Sequence, residues 1–153
     1  MSDCRYGYRA KGSMLSLNLL RSPEYPAAEV KGIHTFRYAV YCGENVKDVE
    51  RVSHSFISGL KPCYAETEYS FASVDKANVL IDTLKPAYDT NGQVMRLFES
   101  GGQKTTCTIA LNSDVTKVTL CNLMEDTIKS LPIKDRTVQL TFKPFEIHTL
   151  RVE

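Results

Sequence analysis

The sequence predicts an all-β protein built of antiparallel β-sandwiches, with one short helix near residues 45–58. Three observations predict this class. Most segments are short and alternate apolar with polar residues, which is the pattern of a strand that buries one face. Glycine, proline and Asn-Gly turn signals separate these segments at regular intervals, as in antiparallel sandwiches. Only residues 45–58 space their apolar side chains at the helical interval.

Two strands are predicted in the first half of the chain. Residues 11–22, "KGSMLSLNLLRS", place Leu15, Leu17 and Leu19 on one apolar face. Prolines follow and end this strand, because proline cannot donate a hydrogen bond to a ladder. Residues 32–43, "GIHTFRYAVYCG", alternate in the same way and predict a second, half-polar strand.

The predicted helix has signals at both ends. Asn45 is suited to the N-cap position, and Gly59 follows the last helical residue. Together with two or three strands, this helix offers too few elements to close a sheet and cover its face. The first half is therefore not expected to be a self-sufficient fold.

The second half is predicted to form strand after strand. Asn91-Gly92 marks a hairpin, because this dipeptide tolerates the positive φ angles of tight turns. Residues 124–136 are polar and are predicted to form a connection without a strand. The predicted strands are residues 69–74, 78–87, 93–100, 104–111, 115–123, 137–142 and 146–153.

A chain of 153 residues can form one ordinary domain or two small ones. The regular strands begin near residue 75, which predicts two domains, residues 1–74 and 75–153. No apolar run approaches the roughly 20 residues that a membrane-spanning helix needs. The N-terminal segment "MSDCRYGYRAKG" lacks the apolar core of a signal peptide, so a cytoplasmic location is predicted.

Charge and cysteine content exclude several classes of protein. With 19 basic and 18 acidic residues the net charge is +1, which predicts no nucleic-acid partner and no anionic membrane surface. The five cysteines are an odd number without CxxC spacing, so neither a disulfide framework nor a zinc knuckle is expected. We predict reduced, partly buried thiols.

No catalytic or metal-binding cluster is predicted in this chain. The three histidines do not lie at metal-ligand spacing from Asp, Glu or Cys, and no GxSxG elbow is present. A carboxylate pair for glycoside hydrolysis is conceivable, but acids at strand ends are usually solvated. The residues considered are His34, His54, His148, Asp3, Glu24 and Glu99.

Arg21 is a candidate for ligand binding, because it ends a predicted strand and precedes a proline turn. A guanidinium at a sheet rim can be presented to a polar ligand. The alternative is a surface arginine that caps a strand. Tyr64, Tyr69 and Tyr88 lie in or near loops and could bind a sugar, or they could be half-buried packing residues.

The chain closely resembles the C-terminal end of the glycoside hydrolase family 38 α-mannosidases, with the cytosolic or microbial class as the closest. Six segments carry the resemblance in the family's order: "DCRYGYRAKGSMLSLNLLRSP", "GIHTFRYAVYCG", "VLIDTLKPA", "VMRLFES", "VTLCNLME" and "FKPFEIHTLRV". They cover nearly the whole chain. The resemblance implies a retaining mannosidase whose zinc ligands, nucleophilic aspartate and general acid lie in an N-terminal α/β domain outside this chain.

The resemblance also assigns the two predicted domains and the candidate residues. Residues 1–74 would be the tail of the large β-sandwich domain, and 75–153 the small C-terminal sandwich. Arg21 corresponds to the arginine of the family's "LLRAP" block, which reaches the rim of the sugar pocket, and Asp3 and Tyr6 are weaker candidates for the same rim. The chain departs from the family in its "YCGE" turn and in Thr35, where the family has an acid.

The resulting functional prediction is a non-catalytic β portion of an α-mannosidase. It would support the catalytic domain and complete the sugar-pocket wall, with no catalytic residue, no metal and no cofactor of its own. Its predicted partners are that catalytic domain and, in the full-length enzyme, the mannoside; a homo-oligomer is also compatible with the sequence. The alternatives are an independent carbohydrate-binding or protein-interaction module and, third, a small stand-alone enzyme.

Overall fold

The chain divides into two compact units, Met1–Pro62 and Cys63–Glu153. The computed structural model describes residues 2, 6–21, 31–43, 48–59, 64–112 and 114–153. The division lies before the sequence-based boundary at residues 74 and 75. Strand β3, Ala72–Val74, pairs with a strand of the second unit, so this short segment belongs to the second unit.

The first unit contains a two-stranded antiparallel hairpin. Strand β1, Tyr8–Lys11, pairs with β2, Met14–Leu17, and Gly12 has the positive φ of 58° that the tight turn requires. The strand predicted over residues 11–22 is therefore shorter than expected, and its partner comes from a segment for which no strand was predicted. The expected apolar face is not buried within this unit, since Leu15 is 66% exposed.

The predicted strand over residues 32–43 is not formed. In the part of the chain that the structure describes, this segment has one isolated antiparallel bridge, between Ser2 and Tyr38, and no ladder. Alternation of side chains selects a face but does not supply a neighbouring strand, and without a ladder the segment is not a strand. His34 consequently lies outside any strand.

Helix α1, Asp48–Ser58, confirms the one predicted helix. Asp48 and Glu50 lie in its first turn, where negative charge interacts favourably with the helix dipole. Gly59 has a φ of 65° and its amide donates to the Ser55 carbonyl at 3.1 Å, which ends the helix. The proposed N-cap, Asn45, lies outside the described residues. No described helix is long and apolar enough to cross a membrane.

The second unit is an antiparallel β-sandwich, as predicted. Besides β3, its strands are β4 Val79–Pro86, β5 Gln93–Glu99, β6 Thr105–Leu111, β7 Val118–Cys121, β8 Thr127–Leu131, β9 Thr137–Phe142 and β10 Ile147–Val152. The five-stranded sheet has the order β4-β5-β10-β7-β8, and the three-stranded sheet has the order β3-β6-β9.

The core of the sandwich is formed by the facing sides of the two sheets. Met95, Leu97 and Leu150 come from the five-stranded sheet, while Ile109 and Phe142 come from the three-stranded sheet. All five side chains are at most 1% exposed. Burying such a side chain stabilises the folded state by about 1.5–3 kcal/mol relative to leaving it exposed. The contact between the two sheets is therefore the main source of the second unit's stability.

The β4–β5 hairpin is formed, but its turn differs from the predicted one. The ladder closes at Pro86 and Gln93, and residues 87–92 form the connection. Thr90 and Gly92 have positive φ angles of 64° and 81°, whereas Asn91 does not. A longer loop therefore replaces the tight Asn-Gly turn.

Strand β8 was not predicted. It lies within the polar stretch 124–136, and four of its five residues are exposed, so it lacks the alternation that marks a half-buried strand. It forms because β7 offers an edge to pair with, and an irregularity in the register between Leu120 and Cys121 accompanies that pairing.

Candidate functional site

The sequence-predicted site residues are only partly described. Asp3 lies outside the described residues. Tyr6 is 37% exposed, and its carbonyl accepts a 3.4 Å hydrogen bond from the Asn18 side chain just after β2. Arg21 is exposed at the end of the described range 6–21. No described hydrogen bond or ion pair joins Tyr6 to Arg21, so their role at a sugar pocket stays a prediction.

The residues that the structure describes do not fit a zinc site. They include no group of three or more His, Cys, Asp or Glu side chains that could hold a metal ion. His148 Nε2 lies 3.3 Å from the Thr141 carbonyl oxygen and 3.6 Å from the Glu146 carboxylate, and its ring packs on Phe142 at 4.5 Å. These contacts make His148 a packing residue of the sandwich.

Glu99 is the one charged residue that is fully buried in the described part of the chain, with 1% exposure. It ends β5 and is in phase with the core residues Met95 and Leu97, directly opposite Val79 of β4. The expectation that this strand-end acid is solvated is therefore wrong. The period of two was the sequence signal that could have located it, because Met95, Leu97 and Glu99 share one face.

Four donors surround the Glu99 carboxylate. Oε1 accepts hydrogen bonds from Asn78 Nδ2 at 2.8 Å and from the Gly101 amide at 2.7 Å. Oε2 accepts from the Phe145 amide at 3.0 Å and from the Gln103 amide at 3.2 Å. The carboxylate thus joins the start of β4, the β5–β6 crossover and the β9–β10 turn.

The electrostatics of this network identify it as structural. Burial by itself raises the pKa of Glu99, but hydrogen bonds from the Phe145 amide, the Asn78 side chain and the Gly101 and Gln103 amides outweigh burial and lower the pKa below its ordinary value. A general acid in glycoside hydrolysis needs a raised pKa and a path to the substrate. The lowered pKa and the four enclosing donors are the opposite of what a general acid requires, and they suit a carboxylate that holds segments together.

The two glycines after Glu99 are favoured by close contacts and, at Gly102, by the backbone conformation. A Cβ atom on Gly101 would lie 2.9 Å from Glu99 Oε1, and one on Gly102 would lie 2.8 Å from the Phe145 ring. Gly102 also has a φ of 66°, which L side chains rarely adopt. The predicted Gly-Gly turn is present: Gly101 leaves room for the Glu99 carboxylate, and Gly102 allows the positive φ.

A second carboxylate, that of Glu125, fixes the 87–92 loop. Glu125 forms a close ion pair with Lys85 and accepts a 2.7 Å hydrogen bond from the Tyr88 amide. The Lys85 hydrogen bond, followed by that of the Tyr88 amide, lowers the pKa of Glu125. This loop is therefore held against the turn that connects β7 to β8.

Arg151 of β10 fixes the same loop from a second direction. Its guanidinium forms a close ion pair with Asp89, and Nε donates to the Asn91 carbonyl at 3.1 Å. The pKa of Asp89 is lowered, first by the Asn91 amide and then by Arg151. Arg151 and Asp89 thus hold the loop in place through their contacts with each other and with the Asn91 backbone.

The described cysteines differ in burial. Cys107 and Cys121 are free and buried, whereas Cys42 is free and exposed. Burial, followed by the negative charge of Asp75, raises the pKa of Cys107 to about 11. Cys4 and Cys63 lie outside the described residues.

An apolar cleft lies within the first unit. It has a volume of about 470 Å³, and we refer to it as the unit 1 cleft. The hairpin, the 38–41 segment and α1 contribute to it. Its main lining residues are Tyr8, Leu15, Leu17, Leu19, Tyr38 and Val40.

The three candidate sugar-binding tyrosines are exposed. Tyr64 and Tyr88 are fully or almost fully exposed, at 109% and 92%, and Tyr69 is 68% exposed. The interpretation as half-buried packing residues is therefore wrong for all three. Their side chains are free to contact a ligand.

Comparison with known proteins identifies the second unit. Residues 78–150 match the "Glycosyl hydrolases family 38 C-terminal beta sandwich domain". This range begins at Asn78, which binds Glu99, and ends within β10, so it contains the Glu99 network and most of the sandwich.

Relatives cover almost the whole chain. It is 31% identical to alpha-mannosidase 2C1 of Mus musculus and 32% identical to that of Homo sapiens, over 98% of this chain and 16% of each relative. It is 30% identical to alpha-mannosidase G of Dictyostelium discoideum, over 99% of this chain and 15% of that protein. The chain thus spans about a sixth of the length of these relatives. Residues 78–150 are thus a glycosyl hydrolase family 38 C-terminal beta sandwich domain, and nearly the whole chain is similar to alpha-mannosidases.

Proposed function

We propose that this chain is the non-catalytic β portion of an α-mannosidase, in which the full-length enzyme hydrolyses terminal α-D-mannosyl residues. The observation that carries the proposal is the relation to α-mannosidases over 98% of the chain, together with the small share of each relative that it covers. The reactive groups would then lie in a catalytic domain of the same polypeptide. The zinc implied by the family resemblance belongs to that domain in this proposal.

The chemistry of the described residues supports this division of labour. Glycoside hydrolysis needs two carboxylates at a fixed separation, one of them available as an acid. The fully buried carboxylate here, Glu99, is ionised and occupied by four hydrogen-bond donors. A sandwich held in this way is suited to rigid support of a neighbouring site.

We further propose that Arg21, Asp3 and Tyr6 contribute to the wall of the sugar pocket. Arg21 is exposed and follows a short hairpin, a placement from which a guanidinium can reach a polar ligand. Positioning of a sugar by such a residue affects binding and orientation, and leaves bond cleavage to the catalytic domain.

A graft experiment tests the proposal. The matched region of mouse alpha-mannosidase 2C1 is replaced by this chain, and hydrolysis of an aryl α-mannoside is compared with that of the mouse protein lacking the region. We expect the graft to restore turnover and the isolated chain to show none, with zinc or cobalt added. Turnover by the isolated chain, or an inactive but folded graft, would contradict the proposal.

The pocket-wall role has its own variant. In the graft, Arg21→Ala is expected to raise KM by about tenfold through the loss of a charged hydrogen bond to the sugar. Arg9→Ala, which removes an exposed arginine of β1, is the matched control and should leave KM unchanged. Equal effects of the two substitutions would argue against a pocket-wall role for Arg21.

A second candidate function is an independent carbohydrate-binding module. The exposure of Tyr64, Tyr69 and Tyr88 favours it, because exposed aromatic rings stack on sugar faces. Titration with mannose or mannobiose, followed by chemical-shift changes, distinguishes the two functions. Saturation at millimolar or lower concentration, localised to these tyrosines, would support the module; unchanged shifts would exclude it.

The cytoplasmic location predicted from the sequence is part of the proposal. Immunofluorescence of the tagged full-length protein in its host is the measurement, and a secretory or vacuolar pattern would overturn it.

A further inference from the structure

We propose that Asn91 is a self-modification site, which the neighbouring Gly92 amide converts to isoaspartate and aspartate, with Arg151 favouring isoaspartate. The substrate is the asparagine side chain, and the co-reactant is water. The inference concerns residues of this chain alone and does not rest on the proposed function. The product carries a new carboxylate in the 87–92 loop.

The sequence singles out Asn91 for this chemistry, because it is the only asparagine of the chain that precedes a glycine. An asparagine forms a cyclic imide when the backbone nitrogen of the next residue attacks its side-chain carbonyl carbon, and a side chain on that next residue hinders the approach. Glycine has no such side chain. The other asparagines precede leucine, valine or serine: Asn18, Asn45, Asn78, Asn112 and Asn122.

The structure leaves both reacting groups free. Asn91 is exposed, in the loop between β4 and β5. Within the described ranges of the chain, neither the Asn91 side chain nor the Gly92 amide nitrogen forms a hydrogen bond, although the Asn91 amide donates to Asp89 Oδ1 at 3.0 Å. The side chains of Asn78 and Asn122, by contrast, are held by hydrogen bonds. At Asn91 the two reacting groups are therefore adjacent and have no competing partner.

The reaction is balanced by the loss of ammonia and the uptake of water. The Gly92 nitrogen bonds to Asn91 Cγ, the Cγ–Nδ2 bond breaks, and the proton of the Gly92 amide leaves with the side-chain nitrogen as ammonia. Water then adds to one of the two imide carbonyls and breaks its bond to the Gly92 nitrogen. Addition at the side-chain carbonyl gives aspartate. Addition at the main-chain carbonyl gives isoaspartate, in which the former main-chain carbonyl is a free carboxylate.

Arg151 is placed to favour addition at the main-chain carbonyl. Its Nε donates to the Asn91 carbonyl oxygen at 3.1 Å, while another nitrogen of the guanidinium pairs with Asp89. A cation at this oxygen stabilises the negative charge that develops there when water adds. Ring opening then turns the same oxygen into a carboxylate oxygen, so a neutral acceptor becomes a charged one and the hydrogen bond becomes stronger. Both effects favour isoaspartate.

The surroundings of Arg151 set the size of the effect. Its side chain is 13% exposed, which limits the screening of its charge by water. Asp89 and Glu153, whose Oε1 lies 3.8 Å from Arg151 Nε, offset part of that charge. We therefore expect a severalfold shift in the ratio of isoaspartate to aspartate, with both products still formed.

Peptide mapping by mass spectrometry tests the inference. The 153-residue chain is kept in mildly alkaline buffer and digested at intervals, and the peptide that contains residue 91 is compared with synthetic standards carrying asparagine, aspartate or isoaspartate. Conversion at residue 91 should be about tenfold or more faster than at Asn112, which precedes a serine. The ratio of isoaspartate to aspartate should be severalfold higher in the folded chain than in the chain unfolded in urea.

Arg151→Met should lower this ratio to that of the unfolded chain, whichever way it changes the overall rate. A looser loop alters how often the imide ring closes, whereas the ratio reports which carbonyl water attacks. Arg136→Met is the matched control, because it removes a guanidinium that pairs with Asp114, and it should leave the ratio unchanged.

Two results would overturn the inference. Conversion at residue 91 that is no faster than at Asn112 would remove the modification site. An equal product ratio in the folded chain, the unfolded chain and Arg151→Met would remove the role of Arg151. If Arg151→Met does not fold, the comparison of the folded with the unfolded unsubstituted chain decides the matter.

Discussion

Asn78 Nδ2 donates a 2.8 Å hydrogen bond to Glu99 Oε1 and so joins the residue before β4 to the last residue of β5. The same nitrogen donates to Thr105 Oγ1 at 2.7 Å, at the first residue of β6. Because β6 belongs to the other sheet, this one amide and its carboxylate partner connect both layers of the sandwich.

Replacement of Glu99 by Gln should destabilise the sandwich by about 3 kcal/mol, because hydrogen bonds to buried charged groups are worth about 1.5–3 kcal/mol and unmatched donors add a penalty. Each carboxylate oxygen accepts from two donors, so the amide NH2 of Gln faces two N–H donors in either orientation. Urea unfolding followed by circular dichroism measures the loss. Glu68→Gln, at an exposed position, is the control; a similar loss there would refute a specific role of Glu99.

The effect of Glu99 on stability should depend on pH. Its pKa in the folded protein lies below the ordinary value of 4.5, so the folded state favours the ionised form. The associated stability is present above pH 4.5 and is lost as the pH falls through the lower folded-state pKa. We expect the difference in unfolding free energy between the unsubstituted chain and Glu99→Gln to be largest near neutral pH and to shrink below pH 4.5. A difference that stays constant with pH would contradict this account.

Gly102→Ala should destabilise the sandwich by about 2 kcal/mol, through backbone strain at positive φ and through contact with the Phe145 ring. A double-mutant cycle with Phe145→Ala separates the two causes. Removal of the ring should leave about 1 kcal/mol from the backbone alone. Identical costs with and without the ring would show that the contact contributes nothing.

Removal of the Arg151 guanidinium should loosen the 87–92 loop. Arg151→Met eliminates the ion pair with Asp89 and the hydrogen bond to the Asn91 carbonyl, while the aliphatic stem is kept. Amide hydrogen exchange in residues 88–92 should become severalfold faster, whereas exchange in β6 should not change. The control is Arg136→Met, whose guanidinium pairs with the fully exposed Asp114; equal loosening by both variants would contradict the assignment.

Thiol labelling should discriminate the described cysteines by burial. In a chain carrying Cys4→Ser and Cys63→Ser, three cysteines remain, and the exposed Cys42 should react with iodoacetamide near neutral pH. Cys107 should resist labelling until the chain unfolds, because its pKa is raised to about 11 and its side chain is 1% exposed. Labelling of Cys107 in the folded chain at a rate close to that of Cys42 would contradict its buried placement.

Local sequence patterns predicted the second unit well where strands bury one face. Residues 137–142 coincide with β9, since their alternation is reinforced by a core on one side and solvent on the other. The same reasoning missed β8, whose residues are mostly exposed and carry no alternation. Pairing to the edge of β7 creates that strand, and pairing is not a local property.

For the candidate site, too, the sequence predicted some features and missed those that depend on distant partners. Residue types and spacing supplied the family resemblance that the comparisons support. The same reasoning placed Glu99 in solvent, because the hydrogen-bond donors that compensate for its burial include the distant residues Asn78 and Phe145.

The sequence by itself determined the all-β class, the position of the helix and the family, because periodicity and local motifs are written in neighbouring residues. Only the tertiary structure decided that residues 32–43 form no ladder and that Glu99 is a buried connection between the two sheets. The physical reason is that ladders and buried charges both need partners from elsewhere in the chain, and the fold determines which partners meet.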